Sequence, residues 1–329
     1  MKNLQIVFMG TAELSCASLE ELARTQGFQI TAVVTQPDRP KGRELKEQPS
    51  PVKALALRLE LPLLQPERAR DEKFIAALRG LQPDLIAVAA YGQILPQSIL
   101  DLPPHGCLNV HTSLLPRYRG AAPIQWAIAN GDAETGVTIM KMDAGLDTGP
   151  IVSQRRTPIR PEHDSAALHD RLAQLGAELL AQTIPDYIAG KLQPQPQPAE
   201  GASRAPKIKK EDGLIDWHRP AQNILNRLRA FKPWPGAFTR WRSSFSLPRS
   251  EDTLKRELQP HLLKIWSAEV AEKSGTPGEI LSADKTGILV ACGQNALRIL
   301  ELQREGGRRM SAAEFLAGHM LKPGDRFLL

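Results

Sequence analysis

The apolar residues in the first half of the chain fall into short continuous runs separated by amphipathic helical patterns. Strand-sized runs occupy 4–9, 30–35 and 85–90, and a helical pattern at about 15–24 follows the first of them. Strands that alternate with helices in this order favour a parallel sheet with helices on both faces. We therefore predict a Rossmann-like α/β domain whose sheet is mostly parallel.

The pattern changes beyond about residue 208. Short β-like runs separated by turns lie at 262–266, 278–282, 287–291 and 297–302. Several short strands at this spacing are typical of a small barrel, so we predict a second, smaller domain that is an OB-like β-barrel. Ser311 and Glu314 form a capping box, which predicts the start of a helix within that domain.

A Pro- and Gln-rich stretch separates the two patterns. This composition favours a semi-extended linker. The predicted boundaries are 1–189 for the first domain, 190–208 for the linker and 209–329 for the second domain. The length of 329 residues agrees with two domains, because a single hydrophobic core seldom grows this large.

Composition narrows the class of protein. The chain is 42% hydrophobic and 24% charged, as in ordinary soluble proteins, and its apolar runs are too short to span a membrane. No signal-peptide pattern follows Met1, and Cys16, Cys107 and Cys292 are too scattered for a zinc site or a disulfide framework. We expect a cytoplasmic monomer with no bound metal and no membrane partner.

The net charge of +6 is placed unevenly along the chain. Residues 1–208 carry 22 Lys and Arg against 22 Asp and Glu, whereas residues 209–329 carry 20 against 14. This excess fits a solvated, slightly basic surface. It equally fits a second domain that attracts a polyanion such as a nucleic acid. Charge alone does not choose between the two interpretations.

Two common nucleotide motifs are missing from the sequence. A dinucleotide site needs the pattern G-x-G-x-x-G after the first strand, but here Gly10 is followed by Thr-Ala-Glu-Leu. The phosphate loop G-x-x-x-x-G-K-[ST] does not occur either. A nucleotide-dependent oxidoreductase is therefore disfavoured.

Asn109 and His111 mark the candidate site. They lie two residues apart near the end of a short apolar stretch, so on a strand their side chains point to the same face. A turn punctuated by Pro and Gly follows, at the kind of strand end where α/β proteins hold ligands. An amide is a constant hydrogen-bond donor, and an imidazole exchanges protons near neutral pH. Taken singly, each residue could equally be structural.

Two longer stretches resemble a known family: 109–123 reads NVHTSLLPRYRGAAP and 135–149 reads TGVTIMKMDAGLDTG. The chain resembles the methionyl-tRNA formyltransferases along nearly its full length, and both motifs are shared by the wider superfamily that uses formyltetrahydrofolate. Three further stretches, 35–43, 209–217 and 229–237, resemble the tRNA-dependent members. The resemblance implies a Rossmann-like formyltransferase domain followed by an OB-like barrel that binds tRNA.

The implied reaction moves the formyl group of 10-formyltetrahydrofolate to the amino group of methionyl initiator tRNA. As the amine attacks, an oxyanion develops and protons move between nitrogens, which requires an oxyanion donor and a proton-transfer group. Asn109, His111 and Asp147 match the family's catalytic positions. We predict that Asn109 and His111 polarise the formyl oxygen, while Asp147 orients His111 and relays protons. A metal triad is a poor alternative, since zinc prefers several His or Cys ligands.

The resemblance also assigns binding residues. The segment that contacts the folate matches Ser113, Leu114, Leu115 and Pro116, a turn whose free backbone N–H and C=O groups could bind a pterin edge. In the family, a long polar loop enters the end of the tRNA and the basic second domain holds its backbone. The residues predicted to bind tRNA are Lys41, Arg43, Lys46, Lys209, Lys210, Arg229 and Lys232.

The sequence departs from the family pattern in two places. After the loop arginine, where relatives carry Gly-Lys-Lys, this chain has Glu44, Leu45, Lys46 and Glu47, and the two carboxylates weaken attraction for a phosphate backbone. A polar segment at 243–261 resembles an insertion between barrel strands and has no assigned function. Two alternatives stay open: a formyltransferase for a small amine, such as a nucleotide sugar or glycinamide ribotide, and a non-catalytic RNA-binding protein.

Overall fold

A computed structural model describes residues 3–41, 46–241 and 261–328. The chain divides into two compact units. The first contains Met1–Ile124, Ala133–Arg160 and Ala167–Pro206, and the second contains Gln125–Asp132, Pro161–Ala166 and Lys207–Leu329. The domain boundaries drawn from the sequence stay a prediction. Within the described ranges, no helix has the length and apolarity needed to cross a lipid bilayer.

The first unit is built on a seven-stranded sheet. Its strands, with a separate two-stranded ribbon (β3 and β4), are β1 (Leu4–Gly10), β2 (Phe28–Val34), β3 (Arg39–Lys41), β4 (Lys46–Gln48), β5 (Leu63–Leu64), β6 (Leu85–Ala89), β7 (Cys107–His111), β8 (Glu134–Lys141) and β9 (Ile151–Pro158). The strand order in the sheet is β5-β2-β1-β6-β7-β8-β9. The first five in that order are parallel, β8 pairs antiparallel with β7, and β9 pairs antiparallel with β8. The predicted mostly parallel α/β sheet is confirmed.

Two helices of the first unit begin at side-chain caps. The helices are α1 (Leu14–Arg24), α2 (Pro51–Arg58), α3 (Glu72–Gly80), α4 (Gln97–Leu100), α5 (Pro123–Ala129) and α6 (Ser165–Ile188). Ser50 Oγ accepts from Lys53 N at 3.0 Å to cap α2, and Asp71 Oδ1 accepts from Lys73 N at 2.8 Å to cap α3. Strand β6 is buried along its whole length, as expected for a central strand of a sheet covered on both faces.

The long polar connection after β2 contains the ribbon of β3 and β4. The two strands pair antiparallel, with Arg39 opposite Gln48 and Lys41 opposite Lys46. The apolar pattern of the sequence does not indicate these strands, because a short polar ribbon has no apolar face. The tip at 42–45, which includes Arg43, lies outside the described residues, as does nearly all of the predicted insertion at 243–261.

The second unit is a small antiparallel barrel. Its elements are a 3₁₀ helix (Lys210–Gly213), α7 (Ala221–Ala230), β10 (Ala237–Trp241), β11 (His261–Ala271), β12 (Ile280–Asp284), β13 (Gly287–Ala291), β14 (Ala296–Arg304), β15 (Arg309–Ser311) and α8 (Ala312–Gly318). The strand order is β10-β11-β14-β13-β12, and β15 pairs with β14. The carboxyl-terminal segment joins the two edges, because Arg326 pairs with Glu279 beside β12 and Leu328 pairs with Arg240 of β10. The predicted barrel is confirmed, although the sequence analysis missed β10 and β15.

Trp217 anchors the core of the barrel. It is fully buried, stacks on Phe327 with ring centroids 5.7 Å apart, and donates its indole N–H to Thr239 Oγ1 at 3.1 Å. Because Phe327 belongs to the segment that joins the two edges, this contact couples closure of the barrel to its core. Trp234, in contrast, is 59% exposed.

The capping box at α8 makes the second unit's stability depend on pH. Glu314 N donates to Ser311 Oγ at 3.2 Å, and Ser311 N donates to Glu314 Oε2 at 2.9 Å. The hydrogen bond from Arg308, and then those from Ser311, lower the pKa of Glu314 from 4.5 to about 2. A depressed folded pKa stabilises the unit above the unfolded pKa, and this contribution is lost as the pH falls through the folded value.

We therefore expect Glu314→Gln to lower the melting temperature at neutral pH. The difference from the wild type should shrink as the pH is lowered toward about 2. Thermal unfolding followed by circular dichroism measures it, with Glu305→Gln as an exposed acidic control on the same unit. An equal difference at every pH would contradict the assignment.

Candidate active site

Strand β7 sets the positions of Asn109 and His111. It lies between β6 and β8, with Val88 and Met140 opposite Asn109 and Thr138 opposite His111. Residues two apart on a strand share a face, so both side chains lie on one side of the sheet. His111 is 6% exposed and Asn109 is half-buried. The Asn109 amide hydrogen-bonds to none of the described residues, so its two N–H donors are available to a ligand.

Asp147 reaches His111 through a loop that folds back along the sheet. Because β8 is antiparallel to β7, the loop after β8 starts beside the opposite end of β7, where Met142 N donates to Cys107 O at 2.8 Å. The Asp147 carboxylate nevertheless lies with Oδ2 3.7 Å from His111 Nδ1. Gly120 N donates to the same oxygen at 2.8 Å and holds it there. The structure thus brings together the predicted histidine and carboxylate.

The contacts of His111 distinguish its two ring nitrogens. Nε2 lies 2.9 Å from Tyr118 O, and a carbonyl oxygen only accepts, so Nε2 carries a hydrogen in this contact. Nδ1 is then the nitrogen that can gain or lose a proton, and it faces Asp147. A hydrogen donated to Tyr118 O is not available to a second acceptor, and the role of the ring in polarising the formyl oxygen stays a prediction.

The turn predicted to bind the folate is tied to β8 and β9. Thr138 Oγ1 donates to Ser113 O at 2.7 Å and accepts from Leu115 N at 3.1 Å, while Gln154 Nε2 donates to Leu115 O at 2.9 Å. Ser113 is fully buried, and its hydroxyl donates to Arg117 O at 2.6 Å. The expectation of free backbone groups is therefore wrong for Ser113 O and for both groups of Leu115.

Leu114 and Pro116 of the same turn are half-buried, so both present part of their surface to a ligand. Two residues that brace this turn, Thr138 and Gln154, are absent from the sequence-based predictions; they are register partners on β8 and β9. Thr138 is fully buried within an otherwise apolar part of β8. A lone buried hydroxyl in a core strand needs a hydrogen-bond partner, so a threonine within the apolar run of β8 could have indicated a contact of this kind.

Four of the lysines predicted to bind tRNA lie in two separate places. Lys41 and Lys46 are register partners in the backbone of the ribbon, and Arg43 lies outside the described residues. Lys209 and Lys210 are exposed at the start of the second unit. The exposure of this pair leaves it accessible to a phosphate backbone.

Arg229 and Lys232 have partners inside the second unit. Arg229 donates from Nη1 to Pro161 O at 2.6 Å and from Nη2 to Asn226 Oδ1 at 3.1 Å, and burial lowers the pKa of its guanidinium. Lys232 Nζ lies 3.4 Å from Asp164 Oδ2, with 38% of the lysine side chain exposed. These contacts engage the Arg229 guanidinium inside the second unit. The predicted tRNA-binding roles of Arg229 and Lys232 stay predictions.

Cys107 lies on β7 two residues before Asn109, where a nucleophile would be conceivable. Burial raises the pKa of its thiol to about 12, so the group stays protonated at neutral pH and packs in the core. Only a thiolate is an effective nucleophile, which argues against a covalent cysteine intermediate. Across the described ranges, no three or more His, Cys, Asp or Glu side chains are arranged to hold a metal ion.

The family described as "Formyl transferase" matches residues 3–184, and "Formyl transferase, C-terminal domain" matches residues 207–320. Among solved structures, HypX from Aquifex aeolicus in complex with tetrahydrofolic acid superimposes with a TM-score of 0.60 at 18% identity, which shows a shared fold. That alignment covers 100% of this chain, but this chain spans only 51% of the HypX chain.

Two curated relatives match over nearly their whole lengths. A protein named methionyl-tRNA formyltransferase from Geobacter sulfurreducens is 50% identical over 99% of this chain and 97% of its own length. A protein of the same name from Citrifermentans bemidjiense is 51% identical over 98% of this chain and 96% of its own length. The family models and the two relatives together cover nearly the whole chain, so the chain belongs to the formyl transferase family.

Proposed function

We propose that this chain transfers the formyl group of 10-formyltetrahydrofolate to the amino group of methionyl initiator tRNA. The observation that carries the proposal is about 50% identity, over both units, to proteins named for this activity. The folate donor is supported by the tetrahydrofolic acid bound in the HypX structure of the same fold.

Asn109 supplies the oxyanion donor in the proposed mechanism. When the amine attacks the formyl carbon, negative charge develops on the formyl oxygen, and a preorganised neutral N–H donor stabilises it. Asn109 suits this role because it lies on a rigid central strand and its amide has no partner among the described residues. His111 does not share the role while its Nε2 hydrogen is held by Tyr118 O.

His111 moves the protons through Nδ1. The attacking nitrogen must lose a proton, and the N10 leaving group of the folate must gain one. Nδ1 of His111 can accept the proton from the attacking nitrogen and donate it to N10. The Asp147 carboxylate, 3.7 Å away, stabilises the imidazolium that exists between these two steps. Asp147 therefore acts on the ring electrostatically and by orienting it.

The folate donor is placed by the turn from Ser113 to Pro116. The hydrogen bonds from Thr138 and Gln154 make the turn rigid, so its remaining surfaces, including those of Leu114 and Pro116, keep a fixed position beside Asn109's strand. A rigid turn loses little conformational entropy when the donor binds.

Lysines of the ribbon and of the second unit hold the acceptor. Lys41 and Lys46 lie on the ribbon, while the exposed Lys209 and Lys210 begin the second unit. Lysine contacts with phosphates release counterions, so affinity falls steeply with salt. Four such contacts predict a loss of about 10²-fold in tRNA affinity between about 50 and about 200 mM salt.

Filter binding or fluorescence titration at several salt concentrations measures this slope. Replacing Lys209 and Lys210 together by Gln should weaken binding at low salt and flatten the slope. Lys285→Gln, at an exposed turn of the barrel, is the matched control and should leave both unchanged. Salt-independent affinity would refute a backbone-contact role for these lysines.

An assay with each candidate acceptor distinguishes the proposed function from its alternatives. Formyl transfer from 10-formyltetrahydrofolate is measured with methionyl-tRNA, an amino-sugar nucleotide and glycinamide ribotide as acceptors. We expect turnover with methionyl-tRNA alone. Turnover with a small amine and none with the tRNA would establish the small-molecule alternative, and tRNA binding without transfer to any acceptor would establish the non-catalytic one.

A further inference from the structure

Gln197 makes an unusually complete set of contacts for a residue in the Pro- and Gln-rich stretch. Its Nε2 donates to Asp147 O at 2.8 Å and to Gly149 O at 2.7 Å. Its Oε1 accepts from Arg119 Nε at 3.0 Å and from Arg119 Nη2 at 2.6 Å. A primary amide has two N–H donors and two acceptor lone pairs, so these four hydrogen bonds satisfy the whole group.

These contacts link the two supports of the Asp147 carboxylate. On one side, Gln197 holds the backbone of Asp147 itself. On the other, it holds Arg119, whose chain neighbour Gly120 donates its N–H to Asp147 Oδ2 at 2.8 Å. The position of the carboxylate relative to His111 thus depends on both segments, and Gln197 fixes them to each other.

Asp147 has a backbone conformation that needs support from surrounding contacts such as those of Gln197. Asp147 has a φ of +52°, a left-handed conformation that residues other than glycine adopt at a cost. Such a conformation persists when surrounding contacts over-determine it. Gln197 supplies two of those contacts, at Asp147 O and at Gly149 O.

The stretch that carries Gln197 is held against the first unit at further points. Tyr118 N donates to Ser203 Oγ at 2.9 Å, and Arg119 N donates to Ser203 O at 2.8 Å. Ala205 O lies where a side chain on Gly120 would be, 2.7 Å from an added Cβ. Tyr118 is also the residue whose carbonyl accepts from His111 Nε2. The predicted linker therefore braces the partners of both His111 and Asp147.

We propose that Gln197 is a positioning residue for formyl transfer, which acts by holding the Asp147 loop where its carboxylate can stabilise His111. This inference rests on the proposed function. Glutamine suits the position because the two carbonyls require donors and the Arg119 guanidinium requires an acceptor. Neither an apolar nor an acidic side chain can meet both requirements.

The first test compares Gln197→Ala with Gln195→Ala in the full-length protein. Gln195 lies in the same stretch and is exposed, and its side chain bonds only to Gln193 O among the described residues, so it is a matched control. We expect Gln197→Ala to lower kcat by about 10- to 100-fold, the size of effect that small displacements of catalytic groups produce. The KM for methionyl-tRNA should stay unchanged, and Gln195→Ala should behave as the wild type.

The second test asks whether Gln197 acts through Asp147. In an Asp147→Asn background the carboxylate that Gln197 positions is gone, so adding Gln197→Ala should cost little further activity. Residues that act as a unit show this non-additivity, whereas independent effects multiply. If the two single losses multiply in the double variant, Gln197 does not act through Asp147 and the inference fails.

Gln197→Glu keeps the inference testable if the alanine variant does not fold. Its carboxylate still accepts from Arg119 but cannot donate to Asp147 O and Gly149 O. We expect a folded protein with a lowered kcat; wild-type kcat in this variant would overturn the inference. A wild-type protein that fails to formylate methionyl-tRNA refutes the proposed function instead, so the two failures are distinguishable.

Discussion

We expect the His111→Ala enzyme to turn over about 10²- to 10⁴-fold more slowly than the wild type, the usual contribution of a general acid–base group. The physical reason is the loss of Nδ1, which lies beside Asp147 and is the nitrogen that we propose exchanges protons. Binding of methionyl-tRNA should be unchanged, because His111 is 6% exposed and the proposed acceptor contacts are made by lysines. Pre-steady-state formyl transfer and tRNA titration separate these two quantities.

Alanine at position 111 also leaves Tyr118 O without the donor from Nε2, so stability must be controlled. His111→Gln addresses this, since an amide can still donate to that carbonyl but cannot carry a proton between nitrogens. We expect the Gln variant to fold as the wild type and to be as slow as the Ala variant. His169→Ala, which removes another histidine paired with an aspartate, should keep full activity. Wild-type turnover in His111→Gln would rule out proton transfer by this ring.

Asn109→Ala should cost about 10²- to 10³-fold in kcat, the loss that follows removal of one oxyanion donor. The expected effect is on kcat rather than on substrate affinity, because charge on the formyl oxygen develops only in the transition state. The half-buried amide has no hydrogen bond to a described residue, so its removal should leave the melting temperature nearly unchanged.

Asn109→Asp provides the matched variant, since it keeps the shape and replaces the donor by an acceptor. We expect it to be at least as slow as Asn109→Ala, because a negative charge would face the developing oxyanion. A normal kcat in either variant would show that the oxyanion is stabilised by another group.

The sheet and the shared face of Asn109 and His111 could be predicted because both depend on local pattern. Continuous apolar runs marked β1, β2 and β6, and the alternation of side chains on a strand placed the two polar residues together. The barrel was predictable for a similar reason, from short strands at turn spacing. These features depend on which side chains are buried, and the positions of apolar residues in the sequence indicate that directly.

The third predicted catalytic residue, Asp147, and the contacts that hold it could not be derived from local pattern. Asp147 was identified through the family resemblance, but the loop that returns it to His111 starts at the far end of β7. Gln197 lies among prolines and glutamines whose composition predicts only a linker. Its importance depends on one long-range hydrogen-bonded link, and no periodicity in the chain encodes such a contact.

The contact between His111 Nε2 and Tyr118 O refines the role proposed for His111. The resemblance predicts that the ring polarises the formyl oxygen, whereas this contact leaves Nδ1 as the nitrogen that we propose exchanges protons. Which nitrogen of a histidine is free depends on what the other one contacts, and that information exists only in three dimensions.

We propose that this chain formylates methionyl-tRNA and that Asn109, His111 and Asp147 carry the reaction. Single-turnover transfer of a labelled formyl group from 10-formyltetrahydrofolate to methionyl-tRNA tests this mechanism, with the wild type compared to His111→Gln. We expect labelled formylmethionyl-tRNA from the wild type and a rate lower by about 10² or more from the variant, with equal tRNA affinity. Equal rates for the two proteins, or no labelled tRNA from the wild type, would refute the proposed mechanism.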